Sequence, residues 1–282
     1  MSLSKTVCKT RGEKMFHSIS MTKVASTLTD AIGVERPKEA DEGISMVKEL
    51  REDCAGGVVD RLLIFSPDAV GAWLFQKYTN DFAPVLKHTQ MGLPVSSVMP
   101  SVTPVNYGTM FTGALPNVHG IEKYEKKLIK TDTVFDAAIR GGKKVALLAL
   151  VDSSMSIIFQ EREMDYYIFP NDDELNEKAL ELIKEDKYDV LLVYNMEFDD
   201  AIHATGAESE FSVSVLRKKI DAFDKIANAV KEQWKNHDTM ICWLTDHGIH
   251  QGTDGHGRHG DDIEEDRNVM HFYGVYPKER EE

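Results

Sequence analysis

Cysteine is scarce in this chain of 282 residues: Cys8, Cys54 and Cys242 are the only three, and no two form a C-x-x-C pair. An odd, scattered set excludes a disulfide framework, and a reducing cytoplasm is the expected setting. Cys242, inside "MICWL", reads as a buried strand residue. Long apolar runs are missing too, and nothing approaches the ~20 apolar residues of a membrane span. The first twenty residues, "MSLSKTVCKTRGEKMFHSIS", carry basic side chains but no continuous apolar segment, which argues against a secretory signal. Positive charge is in deficit. Lys and Arg number 33 against 47 Asp and Glu, so a net charge of −14 repels nucleic acid and anionic membranes over most of the surface. Neither is expected as a partner. An anionic substrate would need a local source of positive charge, and a bound metal ion would supply one.

Against these absences stands an ordinary globular composition, 42% hydrophobic and 28% charged, long enough for one large α/β domain or two small ones. Residues 1–57 are polar and charged. Within them a helix is expected over "KEADEGISMVKELREDC", started by Pro37 and broken by the glycines at 56–57, so the segment reads as an extension or a lid. From residue 58 to 282 the pattern changes. "VVDRLLIFS", "KVALLALV", "DVLLVYN", "TMICWLT" and "NVMHFYGVY" are short, β-branched or aromatic, and suited to strands buried on both faces. Amphipathic stretches such as "DTVFDAAIRGGKK", "DELNEKALELIKEDK" and "SEFSVSVLRKKIDAFDKIANAVKEQWKN" alternate with them. Strand–helix alternation predicts an α/β core with a mostly parallel sheet and helices on both faces.

Ligands of such sheets bind beyond the carboxyl ends of the strands. After "LLIFS" comes Asp68; after "VLLVYNMEF" come Asp199 and, four residues on, His203; after "MICWLT" come Asp246 and His247. Alone, Asp68 reads as a turn former and His203 as a satisfied surface histidine. Together, three strand ends bearing Asp or Asp/His pairs suit a divalent metal, and i,i+4 spacing puts Asp199 and His203 on one helical face. The segment "GHGRHG" also matches G-x-G-x-x-G. A dinucleotide loop, however, needs a strand directly before it and a helix after, and here the acidic "DDIEED" follows. Its histidines carry the signal instead.

"VMPSVTPVNYGTMFTGALPNVHGI" (98–121) joins a strand-like run to a helix and offers Ser101, Thr103, Asn106, Thr109 and Thr112. A metal-activated threonine at a helix N-terminus would place a phosphoryl group near backbone N–H donors, with Asn106 one turn along; the plainer reading of Thr103 is an N-cap. This stretch resembles the nucleophile motif of the alkaline phosphatase superfamily, in its nucleotide pyrophosphatase/phosphodiesterase branch. The resemblance rests on "SVTPVNYGTMFTGALPNVHGI", on Asp68 after the first core strand, on the D-x-x-x-H of Asp199 and His203, on the "DHG" of Asp246 and His247, and on His259 in "RHGDD". All five stand in the family's order.

The resemblance implies two zinc ions; manganese tolerates many of the same ligands and is the alternative. Asp199, His203 and His259 would hold one, and Asp68, Asp246 and His247 the other, with Thr103 as nucleophile and further oxygen ligand. A phospho-threonine intermediate is implied, then hydrolysis. There are departures: no aromatic residue follows the late "HG", His250 and His256 compete with His259, and Asp200 competes with Asp199 but lacks the spacing. His119 is expected to fix a turn. No sulfatase-like cysteine motif is present. The expectation is a cytoplasmic phosphohydrolase of small phosphorylated substrates: phosphodiesters, pyrophosphates or phosphonates. A phosphomonoesterase or phosphomutase on the same core, or a non-catalytic metal-binding homologue, are the rivals. Tyr107, Tyr166 and Tyr167 are candidates to stack on a base or to pack, and "FQEREMDYYIFPNDD" is a candidate lid.

Overall fold

The five apolar runs all become strands. The computed structural model describes residues 18–279; Cys8 and most of the basic opening segment lie outside the described residues. In chain order the strands are β1 (Ile19–Ser20), β2 (Arg61–Pro67), β3 (Met91–Ser96), β4 (Val145–Leu150), β5 (Asp165–Phe169), β6 (Val190–Asn195), β7 (Thr239–Trp243), β8 (His250–Gln251), β9 (Gly257–Arg258) and β10 (Asn268–Tyr276). Eight form one sheet in the order β1-β3-β10-β7-β2-β6-β4-β5, and β8 and β9 make a separate small hairpin. Only β10 runs against its neighbours in the large sheet. The run "NVMHFYGVY" is therefore the antiparallel member of an otherwise parallel sheet.

Alternation along each central strand feeds two cores. Leu62, Ile64, Val190, Leu192, Met240 and Cys242 face one layer, while Leu63, Phe65, Leu191, Val193, Ile241 and Trp243 face the other. Each fully buried side chain of this size contributes roughly 1.5–3 kcal/mol of burial free energy. Helices cover both faces. Val24–Ala31, Thr103–Thr112 and Val134–Arg140 pack on the first, and Asp172–Glu185, Glu197–Thr205 and Glu210–Gln233 on the second. Thr133, Asn171 and Ser209 cap three of these helices with side-chain oxygens, as their positions ahead of amphipathic runs predict. Among the described residues no helix is long and apolar enough to cross a membrane.

Two local expectations are corrected, the start of the first expected helix and the candidate lid. The helix expected from Pro37 begins only at Ser45. Gly43 passes so close to the neighbouring helix that a Cβ there would lie 2.9 Å from the Thr27 amide, and Ile44 N donates to Thr27 Oγ1 at 2.8 Å; Pro37 starts only a turn, with Ala40 N donating to its carbonyl at 3.1 Å, and the helix begins after the Thr27 contact. The candidate lid contains β5, an edge strand. Tyr166 is tied to the Phe159 carbonyl at 2.8 Å, Tyr167 to Tyr188 at 2.8 Å, and Tyr107 is buried against Ser66 at 3.0 Å, so all three tyrosines serve packing. Within 18–57, Val24, Ala25, Leu28 and Ala31 are fully buried, because their helix lies directly on the first core.

Candidate metal centre

Strands β7, β2 and β6 are adjacent and parallel, so their carboxyl ends lie side by side. Topology thus brings Asp246 and His247, Asp68, and the helix bearing Asp199 and His203 to one edge. Thr103 arrives from beyond β3 as the first residue of its helix; Val102, not Thr103, is the N-cap. His259 arrives from the excursion between β7 and β10. The β8–β9 hairpin lies against the helix Glu197–Thr205 because Gly257 has no side chain: a Cβ there would stand 2.8 Å from the Ile202 carbonyl oxygen. Of the glycines of "GHGRHG", Gly257 serves this close approach and Gly255 and Gly260 take positive φ, in a hairpin and its exit rather than a strand–turn–helix.

Two donor groups result. Asp199, His203 and His259 form one, and Asp68, Asp246 and His247 the other. In the first, Asp199 Oδ1 is 3.4 Å from His203 Nε2 and 3.7 Å from His259 Nε2, and the two Nε2 atoms are 3.1 Å apart. In the second, His247 Nε2 is 3.4 Å from Asp68 Oδ1, 3.3 Å from Asp246 Oδ2 and 3.2 Å from Thr103 Oγ1. The groups adjoin through the stacked rings of His247 and His259, 4.1 Å between centroids.

The protonation pattern follows from the partners. His203 Nδ1 faces the Gly257 carbonyl at 2.9 Å, His247 Nδ1 the Gly248 carbonyl at 2.9 Å, and His259 Nδ1 the Ser101 carbonyl at 3.0 Å. A carbonyl only accepts, so each Nδ1 carries a proton, and the neutral tautomer this selects turns a bare Nε2 lone pair inward. Burial holds His247 down to about 4 and His259 down to about 3. Burial pushes Asp246 up to about 7, and raises Asp68 and Asp199 well above the carboxylate range, with Asp246 adding to both. Asp68 Oδ1, Asp199 Oδ1 and Asp246 Oδ2 are buried without a hydrogen-bond partner, and these are the oxygens nearest the bare nitrogens.

Lone pairs facing orphaned carboxylate oxygens repel unless a proton or a metal cation lies between them. Two nitrogens held about 2.0–2.1 Å from one tetrahedral zinc stand roughly 3.3 Å apart, close to the separations found in both groups. The donor sets fit divalent ions.

Around them are residues that pattern reading did not single out. Tyr194, at 0% exposure, donates to Asp68 Oδ2, and Ala69 N donates to Asp246 Oδ1 at 3.3 Å. A lone tyrosine in the apolar run "LLVYN" was the available signal. Of the rivals, His250 bonds Asp266 at 2.8 Å within a separate group that includes Asp261, and His256 bonds the His203 carbonyl at 2.9 Å. Asn106 is buried, its Oδ1 accepting from Val98 N at 2.8 Å and its Nδ2 donating to Val102 O at 3.3 Å. The Val105 and Asn106 amides turn back onto the Val102 carbonyl and Pro104 has none, so this helix end presents fewer donors than a free N-terminus. His119 fixes its turn: Ile121 N donates to its Nδ1 at 3.3 Å, leaving Nε2 for Thr109 Oγ1 at 3.1 Å.

The profile of one family, type I phosphodiesterase/nucleotide pyrophosphatase, matches residues 62–280. The chain belongs to that family. Solved structures agree on the alkaline phosphatase-like fold. An inactive variant of murine ectonucleotide pyrophosphatase/phosphodiesterase 5, in complex with AMP, is 20% identical with a TM-score of 0.57, covering 69% of this chain and 58% of its own. Phosphonoacetate hydrolase from Sinorhizobium meliloti, with phosphonoformate, is 14% identical with a TM-score of 0.51, covering 67% and 56%. The C-terminal periplasmic domain of a Campylobacter jejuni phosphoethanolamine transferase is 13% identical with a TM-score of 0.54, covering 77% and 79%. This phosphodiesterase-family chain therefore spans little more than half of the first two structures. Comparison with curated proteins finds no match.

Proposed function

We propose that this chain is a two-metal phosphohydrolase that cleaves phosphodiester, pyrophosphate or phosphonate bonds in small phosphorylated substrates, with Thr103 as nucleophile. One observation carries the reading: three orphaned carboxylate oxygens meet three bare imidazole nitrogens beside Thr103 Oγ1. Asp199, His203 and His259 would hold one ion, and Asp68, Asp246 and His247 the other, zinc or manganese suiting this donor set. When bound, such ions neutralise phosphoryl charge and make hydroxyl groups and water acidic enough to attack at neutral pH.

The chain's own residues supply geometry. Thr103 is 5% exposed and sits at a helix start, so its hydroxyl is held in one place rather than sampling solvent. Asn106 is fixed by Val98 and Val102 and leaves one amide N–H to orient a phosphoryl oxygen. In the first step the Thr103 Oγ1–P bond forms as the bond from phosphorus to the leaving group breaks. The proton lost by Thr103 balances the one the leaving group takes up. Water then cleaves Oγ1–P, restoring Thr103 and releasing the phosphorylated product. That the murine neighbour holds AMP and the bacterial one phosphonoformate supports a small phosphorylated ligand.

Elemental analysis combined with initial rates on bis-para-nitrophenyl phosphate and para-nitrophenyl phosphate tests this. Near two metals per chain and faster diester cleavage are expected, with Thr103→Ala abolishing turnover. Faster monoester cleavage would move the reading to a phosphatase, and a positional isomer of the substrate to a mutase. No metal and no turnover would sink it.

A further inference from the structure

The helix Glu197–Thr205, which presents Asp199 and His203, has no capping side chain of its own; the residue before it is Met196. Its first amides are satisfied from another element. Asp172, the first residue of Asp172–Glu185, accepts from Met196 N at 3.2 Å and from Glu197 N at 3.0 Å. One turn on, Asn176 exchanges two amide hydrogen bonds with Asn195, at 2.9 and 3.0 Å. Asp172 and Asn176, four residues apart on one face, thus grip the junction between β6 and the ligand-bearing helix. Behind them lies Lys219, from Glu210–Gln233. It is fully buried, and its Nζ reaches Asp172 Oδ2 and Glu197 Oε2, both at 2.6 Å.

A buried ion pair is a weak source of stability, because desolvation offsets its attraction and well-packed apolar residues do as well or better. A carboxylate at a helix start, by contrast, does something no apolar side chain can: it accepts from first-turn amides and lies at the positive end of the helix dipole. Lys219 in turn gives that buried carboxylate a hydrogen-bonding partner and fixes its orientation. We infer that Asp172 and Lys219 are positioning residues for the metal centre, setting the height and rotation at which Asp199 and His203 meet His259. The inference rests on the two-metal reading and deepens it. Neither residue belongs to the donor groups; both act through the helix, whose Asp199 lies two residues from the capped Glu197 amide.

The test is zinc affinity, by chelator competition on the stripped full chain, for wild type, Asp172→Asn, Lys219→Met and the double variant, each with and without His203→Ala. All are measured well below their unfolding midpoints. The single variants are expected to weaken one of two zinc equivalents roughly 10–100-fold, the usual effect of losing a supporting contact behind a metal ligand. The other equivalent stays close to wild type. In chains already carrying His203→Ala they should add nothing, since the same ion is affected. If Lys219→Met fails to fold, Asp172→Asn and the double variant, which buries no unpaired carboxylate at 172, carry the test. Unchanged affinities, or both equivalents weakening together in step with stability, would overturn the inference. A wild-type chain that takes up no zinc overturns the two-metal reading with it, whereas wild-type binding with unaltered variants overturns this inference alone.

Discussion

His203 and His259 point their Nε2 atoms at each other across 3.1 Å, while each commits Nδ1 to a backbone carbonyl. With both Nδ1 atoms protonated and the rings neutral, neither Nε2 can donate to the other, so the contact is not a hydrogen bond. His203→Ala or His259→Ala should each cost one metal equivalent and leave the second. Elemental analysis after gel filtration reads the ratio; loss of both or of neither would contradict the grouping.

Metal should also be a stabiliser. Stripping leaves three buried carboxylate oxygens without partners, and reloading at a hundredfold excess over one site's Kd would add about 2.7 kcal/mol. Thermal melts of stripped and zinc-loaded chain measure this. Identical curves would count against binding by the native state.

The pH dependence has a definite sign. Asp246 is pushed up to about 7 in the fold, against about 3.9 unfolded, so the metal-free native state binds the extra proton between those values. On its account the stripped chain loses stability as pH rises from about 4 through 7. His247, held down to about 4 against 6.5 unfolded, does the opposite and adds stability as pH rises between those values. Zinc must displace the Asp246 proton, but meets no His247 proton much above pH 4. Apparent zinc affinity should therefore climb as pH rises through about 7, and loading should stabilise more at pH 8 than at 5.5. Affinity flat from pH 5 to 8 would refute the assignment.

Tyr194→Phe removes the hydroxyl that fixes Asp68 Oδ2 and little else. Affinity at the Asp68, Asp246 and His247 group should fall roughly 10–100-fold. The Asp199 group should be spared, and an equal loss at both would argue for general loosening.

Gly257→Ala sets a methyl group 2.8 Å from the Ile202 carbonyl oxygen and pushes the hairpin off the helix. The Gly257 carbonyl then withdraws from His203 Nδ1. Zinc affinity of the His203 group is expected to drop about tenfold or more. A crystal structure of the variant with the His203–Gly257 contact intact would show that the hairpin accommodates the methyl.

Much of this was legible in the residues alone. A strand buried on both faces announces itself by continuous apolar character, and the acidic residue just past it is easily seen; hence β2, β6 and β7 and their aspartates. Strands that break the pattern were harder. β3 reads "MGLPVS", with Gly92 and Pro94 inside it, and β5 reads "DYYIF" at an exposed edge. The direction of β10 is not encoded in its own residues at all, since a strand buried on both faces looks alike either way round.

By itself the sequence determined the alternating elements, the polar residues at their ends and the order of the motifs, because periodicity and turn chemistry are local. Only the tertiary structure decided that β7, β2 and β6 are neighbours, so that three distant aspartates converge. It also separated His259 from His250 and His256 and turned each ring by the carbonyl behind it. Those choices depend on contacts between residues far apart in the chain: Ser101 with His259, Gly257 with His203, and Asp172 with the amides at 196 and 197. No local pattern carries them, because each is a hydrogen bond that exists only once the sheet has brought its partners together.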